Sequence, residues 1–348
     1  MANAPARVFR NRARRAPKDR HMLPGYVSLH ARGQLAARAR QALELLNPCR
    51  LCPRRCGVDR TSGETGFCGV GRYARVASFG PHFGEEDCLV GEGGSGTIFF
   101  SGCNLGCVFC QNEDISRHPE SGGEVSPAEL AAIMLDLQGR GCANINFVTP
   151  SHVAAQILEA LPLAVEGGLT LPLVYNTGGY DNLKTLALLD GVVDVYMPDV
   201  KFWDPAVAAR LCAAADYPEV ARAAVQAMHS QAGDLEIGPD GLARRGLLVR
   251  HLVLPQDLAG TARWMTWLAS EVSPGTYVNL MDQYRPCADA GKHPGLGRAL
   301  TAEEFRRARR QAQGAGITRL DERKAGYLKM ILARMLAGDP EEGGPAGD

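Results

Sequence analysis

From residue 95 onward, short apolar runs rich in β-branched residues alternate with stretches of helical periodicity. Because alternating strands and helices pair in parallel, and near-continuous apolar strands are covered on both faces, this pattern predicts an α/β fold. Six such units favour a partial (β/α)6 TIM-like barrel over the closed eight-fold form. The strand candidates are residues 97–101, 144–149, 172–176, 193–198, 247–254 and 276–281, and the helix candidates are residues 126–138, 151–160, 182–189, 205–230, 257–272 and 301–313.

Polar residues and one cysteine stand at the carboxyl ends of these strands. In a parallel barrel these ends open on one mouth, so their side chains are expected to form a single site. They are Cys103, Thr149, Asn176, Asp199, Lys201, Pro255 and Asp282.

Three cysteines follow the first strand of this series, with spacings of three and two residues: Cys103, Cys107 and Cys110. Such a loop can wrap three corners of a cubane iron–sulfur cluster. Electron carriers usually ligate all four irons with thiolate, whereas an iron without a protein ligand can chelate a small molecule. A zinc knuckle or a group of buried thiols is the alternative, which the strand–loop context disfavours.

The C-x-x-x-C-x-x-C spacing resembles the signature of the radical S-adenosylmethionine (SAM) superfamily, and Phe109 resembles the aromatic residue that packs near the adenine there. The resemblance implies a [4Fe–4S] cluster, SAM, and an electron donor such as flavodoxin or ferredoxin. It also implies an enzyme that cleaves SAM reductively to methionine and a 5′-deoxyadenosyl radical, which abstracts a hydrogen atom.

Finer matches resemble the pyruvate formate-lyase activating enzymes, a group of radical SAM oxidoreductases. There the equivalent of Asp199 helps to hold a monovalent cation and that of Lys201 reaches the SAM carboxylate. Residues 175–179, with Asn176 and Thr177, resemble a polar strand end at the SAM site, and Arg250 resembles a late arginine. The activating enzymes also have a Gly-Gly-Glu motif at the SAM amine, whereas residues 146–151 contain no acid, which leaves Thr149, Ser151 or backbone carbonyls for that contact.

As a whole, the chain most resembles the PflX-like branch, which adds an N-terminal cysteine module to the activase core. The resemblance implies activation of a glycyl radical enzyme or modification of a protein substrate. A radical SAM enzyme acting on a small molecule or peptide is the alternative, and a non-catalytic iron–sulfur electron carrier is the alternative from another class.

A second group of cysteines precedes the barrel, with spacings of two, three and eleven residues: Cys49, Cys52, Cys56 and Cys68. Four thiolates among turn-forming glycines and prolines suit either zinc or a second [4Fe–4S] cluster, with a structural or an electron-relay role. Residues 23–94 are therefore expected to form a small metal-binding module, with a helix at 32–46 and loops around the metal from 48 to 92.

The remaining expectations come from composition. Residues 1–22 are predicted to be a disordered basic arm, 95–330 the barrel, and 331–348 a C-terminal segment with a disordered tail. Lysine plus arginine and aspartate plus glutamate number 38 each, which gives no case for nucleic acid as a partner. No apolar run reaches 18 residues, which argues against membrane insertion, and eleven cysteines, most of them in two clusters, favour the cytoplasm.

Overall fold

The computed structural model describes residues 23–322. The expected basic arm and the C-terminal segment lie outside the described residues, as do residues 323–330 of the expected barrel. The helices are α1 (Gly25–Ala31), α2 (Gln34–Glu44), α3 (Asp87–Val90), α4 (Glu113–Ser116), α5 (Pro127–Gly139), α6 (Ala154–Glu166), α7 (Leu183–Leu189), α8 (Pro205–Cys212), α9 (Tyr217–Ala232), α10 (Thr261–Trp267) and α11 (Ala302–Gly314). The strands are β1 (Ala74–His82), β2 (Ser95–Phe100), β3 (Gly123–Val125), β4 (Ile145–Val148), β5 (Leu173–Thr177), β6 (Val195–Pro198), β7 (Glu236–Ile237), β8 (Ala243–Leu252), β9 (Tyr277–Met281) and β10 (Arg319–Leu320).

The strands form one mostly parallel sheet in the order β10-β9-β8-β6-β5-β4-β2-β1-β3, with β7 paired to β8. The six strands predicted from the sequence are β2, β4, β5, β6, β8 and β9, and each pairs in parallel with its neighbour in that series. The short strand β10 extends the parallel part, and β1 and β3 add an antiparallel edge. The α/β class is confirmed, and the arrangement is consistent with the TIM-like fold of radical SAM proteins.

The connecting helices begin where the sequence supplies good caps. At α5, the Ser126 hydroxyl accepts a bond from the Glu129 amide, the Glu129 carboxylate accepts one from the Ser126 amide, and Pro127 opens the first turn. The same reciprocal box joins Thr301 and Glu304 at α11. These caps satisfy amides that have no partner within the helix, and they fix where each helix leaves its loop.

The segment before the barrel contains a strand that the sequence analysis missed. Residues 48–92 were expected to be loops, but β1 pairs antiparallel with β2 along most of its length. Its exposed second half includes Phe79, Gly80 and Pro81, so the alternation of buried and exposed residues that marks a strand is weak. The helix expected at 32–46 is α2, which begins at Gln34 because Gly33 takes a left-handed conformation before it; the preceding helix α1 was not predicted.

Two helix predictions within the barrel are corrected. The single helix expected at 205–230 is broken between α8 and α9, where Ala213 is left-handed with φ 56° and Pro218 stands in the first turn of α9. The helix expected at 257–272 starts later, at Thr261, because Gln256 and Asp257 also have positive φ; it continues as one π-helical turn, Leu268–Val272.

The helix α3 of the N-terminal segment packs against the inner face of the sheet. The side chains of Cys88 and Leu89 on α3 pack in a buried apolar cluster with Val195 of β6 and Leu248 of β8. This packing places the two residues just before α3 inside the curve of the sheet. Within residues 23–322, no helix is long and apolar enough to cross a membrane.

Candidate active site

The three cysteines of the second group lie on a loop that begins directly after β2. The Leu105 amide donates to Cys103 Sγ at 3.3 Å, and Cys110 Sγ lies 3.2 Å from the Ser116 hydroxyl. The loop is also tied to the end of α8, because the Gly106 amide donates to the Cys212 carbonyl at 3.2 Å. The thiols are therefore presented by a loop that the surrounding backbone holds in place.

A cavity of about 400 Å³ adjoins this loop. Ten of the residues expected at the site line it: Cys103, Cys107, Phe109, Cys110, Thr149, Asn176, Thr177, Asp199, Lys201 and Arg250. Ser151, Pro255 and Asp282, which were also expected there, are not among its lining residues. The volume is within the range of small-molecule sites. The structure thus brings these ten residues together, while their individual roles stay predictions.

The three thiols are half-buried near one another, and their surroundings shift the pKa values of Cys103 and Cys107. Burial, and then the neighbouring Cys107 thiol, raise the pKa of Cys103 to about 12. Burial raises the pKa of Cys107 to about 11, although the Lys201 ammonium acts in the opposite direction. A bound metal would reverse this, because coordination deprotonates a thiol outright.

The arrangement of the trio suits a cluster. Among the described residues, no three His, Cys, Asp or Glu side chains are arranged to hold one metal ion. A cubane cluster binds each thiolate through a different iron, so its ligands surround a volume instead of meeting at a point. Three cysteines around one cavity match that requirement.

Asp199 and Lys201 form an ion pair at the end of β6, with Lys201 Nζ 2.5 Å from Asp199 Oδ2. Burial alone would lower the pKa of Lys201, but the neighbouring Asp199 carboxylate outweighs it and holds that pKa well above its usual value. The lysine therefore stays protonated in the cavity wall. A fixed cation of this kind is suited to a carboxylate ligand.

The polar strand ends of β4 and β5 are held to each other. Thr149 has φ 60°, unusual for a β-branched residue, and its amide donates to the Asn176 carbonyl at 2.9 Å. Such backbone conformations cluster at functional sites. The Thr177 hydroxyl lies 2.9 Å from that of Ser151 and donates to buried Asp181 at 2.6 Å.

Phe109 forms part of an apolar wall. Its ring packs edge-on against Phe202 and Tyr284, with centroids 5.8 and 6.1 Å away. The side chain is buried yet borders the cavity, where a flat apolar ligand group could lie against it.

Two acids that the sequence did not predict, Glu85 and Glu86, lie at the lower end of the site. Arg250 on β8 donates from Nε and Nη2 to the two carboxylate oxygens of Glu86, at 2.7 and 2.6 Å, and Nη2 also contacts Glu85. The Asn279 side chain donates to Glu86 at 2.7 Å and that of Asn146 to Glu85 at 3.1 Å. Burial opposes ionisation of Glu86, but Arg250 outweighs it and lowers the pKa of that carboxyl.

These contacts also join two strands that are not neighbours in the sheet. β4 and β8 are three strand spacings apart, roughly 14 Å in a flat sheet. Asn146 on β4 and Arg250 on β8 both bond Glu85, so this carboxylate bridges the two strands. Nothing in the sequence before β2 marked Glu85 and Glu86, because their role depends on α3 entering the sheet from below.

The first cysteine group lies outside this cavity. Cys49 and Cys52 are buried and Cys56 and Cys68 are half-buried. Burial raises the pKa of Cys52 to about 12, and the thiols of Cys68, Cys49 and Cys56 also raise it, so the four sulfurs are neighbours. Like the second group, they do not converge on one ion position in the described part of the chain. The predicted second metal centre stays a prediction.

The two cysteine groups are nevertheless adjacent. Cys68 and Cys103 both line a second cavity, and the Arg54 side chain donates to the Asn104 and Ala213 carbonyls at 2.8 and 2.6 Å. The N-terminal loop is thus hydrogen-bonded directly to the loop that carries the second group.

The comparisons with known proteins agree with this geometry. Residues 97–234 match the family model described as the radical SAM superfamily. An uncharacterized protein of Methanocaldococcus jannaschii is 33% identical over 275 residues, which cover 77% of this chain and 75% of that relative. The chain belongs to the radical SAM superfamily. Membership implies cleavage of SAM at an iron–sulfur cluster.

One solved structure is similar at lower identity. The crystal structure of a radical SAM methyltransferase from Sphaerobacter thermophilus is 16% identical, with a TM-score of 0.44. The match covers 64% of this chain and 64% of the methyltransferase chain, so it spans less than two thirds of that protein.

Proposed function

We propose that the protein cleaves SAM reductively at a [4Fe–4S] cluster bound by Cys103, Cys107 and Cys110, and that the cleavage starts hydrogen abstraction from a substrate in the same cavity. The observation that carries this proposal is the single cavity shared by the three cysteines and by the Asp199–Lys201 pair. When bound, the cluster supplies one electron to the sulfonium of SAM, which gives methionine and a 5′-deoxyadenosyl radical.

The residues around the cavity supply binding and orientation. Protonated Lys201 pairs with the SAM carboxylate, and Asp199 holds the lysine in position or helps to hold a monovalent cation. Thr149, Asn176 and Thr177 offer polar groups to the amino acid and ribose parts. Phe109 presents its ring to the adenine.

Arg250 has a divided role in this proposal. Its bonds to the glutamates use Nε and Nη2, and Nη1 is the atom that we assign to SAM. The acids hold the guanidinium in one orientation, so the contact to SAM is preorganised. The electron comes from a small donor such as flavodoxin or ferredoxin.

For the substrate, we propose a protein acted on in the manner of the pyruvate formate-lyase activating enzymes, with the PflX-like branch as the nearest group. The motif at Asp199 and Lys201 and the polar end of β5 support this assignment. The expected product is a glycyl radical or another modification of the partner. A glycyl radical enzyme encoded beside this chain, incubated with the reduced protein and SAM, should acquire a stable organic radical signal.

A small molecule or peptide is the second candidate, and the closed lower end of the cavity favours it. Glu85 forms that end, and α3 fills the space beneath it. This candidate is favoured if no protein partner acquires a radical signal and a small molecule is converted instead.

The cysteines at positions 49, 52, 56 and 68 are proposed to hold a second centre, either zinc or iron–sulfur. Their mutual proximity and their hydrogen-bonded contact with the main loop support the proposal. A structural role stabilises the N-terminal loop against the barrel, and a relay role would place an electron carrier beside the catalytic cluster.

The central experiment measures 5′-deoxyadenosine. Protein reconstituted anaerobically with iron and sulfide is incubated with SAM and dithionite. The wild type should form 5′-deoxyadenosine and Cys107→Ala should form none. Cys142→Ala, at a buried cysteine away from the cavity, is the matched control and should retain activity. Equal background formation by wild type and Cys107→Ala would favour a non-catalytic electron carrier.

A further inference from the structure

The loop that carries the second cysteine group borders two cavities. Besides the large one, Cys103 lines the second cavity, together with Phe67 and Gly106. Phe67 contacts the loop backbone directly, because a Cβ built on Gly106 would lie 3.5 Å from the Phe67 ring. The same ring is 48% exposed to solvent. A side chain at the protein surface therefore touches the loop that presents the three cysteines.

Arg54 joins this exposed ring to the same loop. Its guanidinium lies over the Phe67 ring, 3.8 Å from the ring centroid, which is the geometry of a cation–π contact. It also donates to the Asn104 carbonyl at 2.8 Å, one residue after the first cysteine of the loop. Its other hydrogen bonds go to the two carbonyls at the end of α8. These partners are neutral, so they hold the guanidinium in place without cancelling its charge.

The residues around Arg54 give this face a positive charge. Arg50 and Arg55 are exposed, and residues 48–58 contain these three arginines and no acid. None of the three forms an ion pair with a carboxylate within the described part of the chain. A neighbouring acid, Asp216, accepts from the hydroxyl of the tyrosine that packs beside Arg54. Three cations and one anion leave a net positive face, which attracts an anionic partner.

Four side chains of this face are here called the donor surface: Arg50, Arg54, Arg55 and Phe67. We infer that the donor surface is the docking site of an acidic one-electron carrier protein, and that the electron for SAM cleavage enters the protein there. The arginines attract the carrier, and the exposed ring offers it an apolar contact. This inference rests on the proposed function, and it names the class of the partner and the surface that binds it.

Position favours an electron carrier over a nucleic acid, which a basic face also attracts. Arg54 and Phe67 both touch the backbone of the cluster loop, and a carrier must come close to that loop, whereas a nucleic acid has no need to. The 38 basic and 38 acidic residues of the whole chain give no general attraction for a polyanion. In the transfer the carrier is oxidised by one electron. SAM accepts that electron as its carbon–sulfur bond breaks to give methionine and the 5′-deoxyadenosyl radical.

The first test is calorimetric binding of oxidised carriers to the anaerobically reconstituted protein, so that no turnover occurs. The probes are an acidic flavodoxin, an acidic [2Fe–2S] ferredoxin, the basic carrier cytochrome c and a single-stranded DNA oligonucleotide. At least one acidic carrier should bind, and cytochrome c should not. The Kd of that carrier should rise about ten-fold between roughly 50 and roughly 300 mM salt, because salt screens the attraction between surface charges.

Charge reversal defines the surface. The double variant Arg50→Glu/Arg55→Glu should bind the acidic carrier about ten-fold more weakly than the wild type at low salt. With the reduced carrier below saturation, its formation of 5′-deoxyadenosine should fall by a similar factor. With dithionite, a small reductant that needs no docking site, it should match the wild type. Arg263→Glu, at an exposed arginine on α10, is the control and should behave like the wild type. Thermal unfolding checks that each variant folds.

Three results would overturn the inference. These are no measurable binding of either acidic carrier, equal effects of the double variant and Arg263→Glu on carrier binding, and binding of the oligonucleotide alone. The dithionite reaction separates this inference from the proposed function. If wild type cleaves SAM with dithionite but the double variant keeps the full rate with the reduced carrier, this inference fails and the proposed function stands. If wild type does not cleave SAM with dithionite, the proposed function fails whatever the carriers do.

Discussion

Arg250 on β8 and Glu86, which precedes α3, form a buried bidentate ion pair across 164 positions of the chain, with N–O distances of 2.7 and 2.6 Å. The pair joins the segment before the barrel to a central strand. It also fixes the neighbouring Glu85 at the floor of the cavity. The N-terminal segment is consequently part of the site, although the family model matches only residues 97–234.

Removing one partner of this pair should destabilise the protein strongly. Glu86→Gln leaves the Arg250 guanidinium buried without its main counter-charge, which typically costs about 3–5 kcal/mol. Urea unfolding measures the free energy change. Glu124→Gln breaks an exposed pair with Arg75 and should cost less than about 1 kcal/mol. Equal effects of the two substitutions would contradict the structural role assigned to Glu86.

Lys201 is expected to act mainly on SAM binding. Lys201→Gln removes a buried cation from the cavity wall, and the loss of a charge-assisted contact should raise the KM for SAM about 10- to 100-fold. The iron content should stay unchanged, because the three cysteines are intact. Lys184→Gln, at an exposed lysine on α7, should behave like the wild type. An unchanged KM in Lys201→Gln would remove the carboxylate contact from the proposal.

Metal content tests the N-terminal cysteines separately. Cys52→Ser should lower the bound metal by one centre, seen as lost zinc or as a loss of about half the iron if that centre is a second [4Fe–4S] cluster. The iron held by Cys103, Cys107 and Cys110 should remain. The same metal content in Cys52→Ser and wild type, measured by elemental analysis, would show that this group holds no metal.

Asp194 makes stability depend on pH. Burial raises the pKa of this carboxyl to about 7, although the Leu173 and Gly25 amides act in the opposite direction. Because the folded state binds more protons between pH 4 and 7 than the unfolded state does, the free energy of unfolding falls as the pH rises through that window. Asp194→Asn keeps an acceptor for the Leu173 amide and removes the charge.

Asp194→Asn should therefore gain stability relative to the wild type as the pH increases. The difference in unfolding free energy between Asp194→Asn and wild type is expected to be about 1–3 kcal/mol larger at pH 8 than at pH 5. Urea unfolding at the two pH values measures it. A difference that is the same at both would mean that Asp194 titrates normally in the folded protein.

The sequence predicted the part of the fold in which local pattern and burial agree. The apolar runs of β4, β5 and β6 are covered on both faces, so their composition alone indicated parallel strands. The strand β1 was missed because much of its second half is exposed and contains Gly80 and Pro81. The break after α8 was missed because an alanine, Ala213, takes the left-handed conformation there.

The sequence likewise predicted only the part of the site that follows from local pattern and strand topology. Residues at the carboxyl ends of parallel strands share a mouth by topology, which explains why Thr149, Asn176 and Asp199 were expected to meet and line one cavity. Glu85 and Glu86 stand in a loop at the opposite end of the sheet. Their positions follow from how α3 packs against Val195 and Leu248, and that tertiary contact has no local signature.

The central claim is that three cysteines leave one iron open for SAM, and electron paramagnetic resonance of the reduced, reconstituted protein tests it most directly. The Cys52→Ser variant is suited to this measurement because any signal from a second centre is removed. SAM should change the spectrum of the remaining [4Fe–4S] cluster, since it binds the cluster itself, and the Cys107→Ala substitution should abolish that spectrum. A spectrum that SAM leaves unchanged would contradict the account.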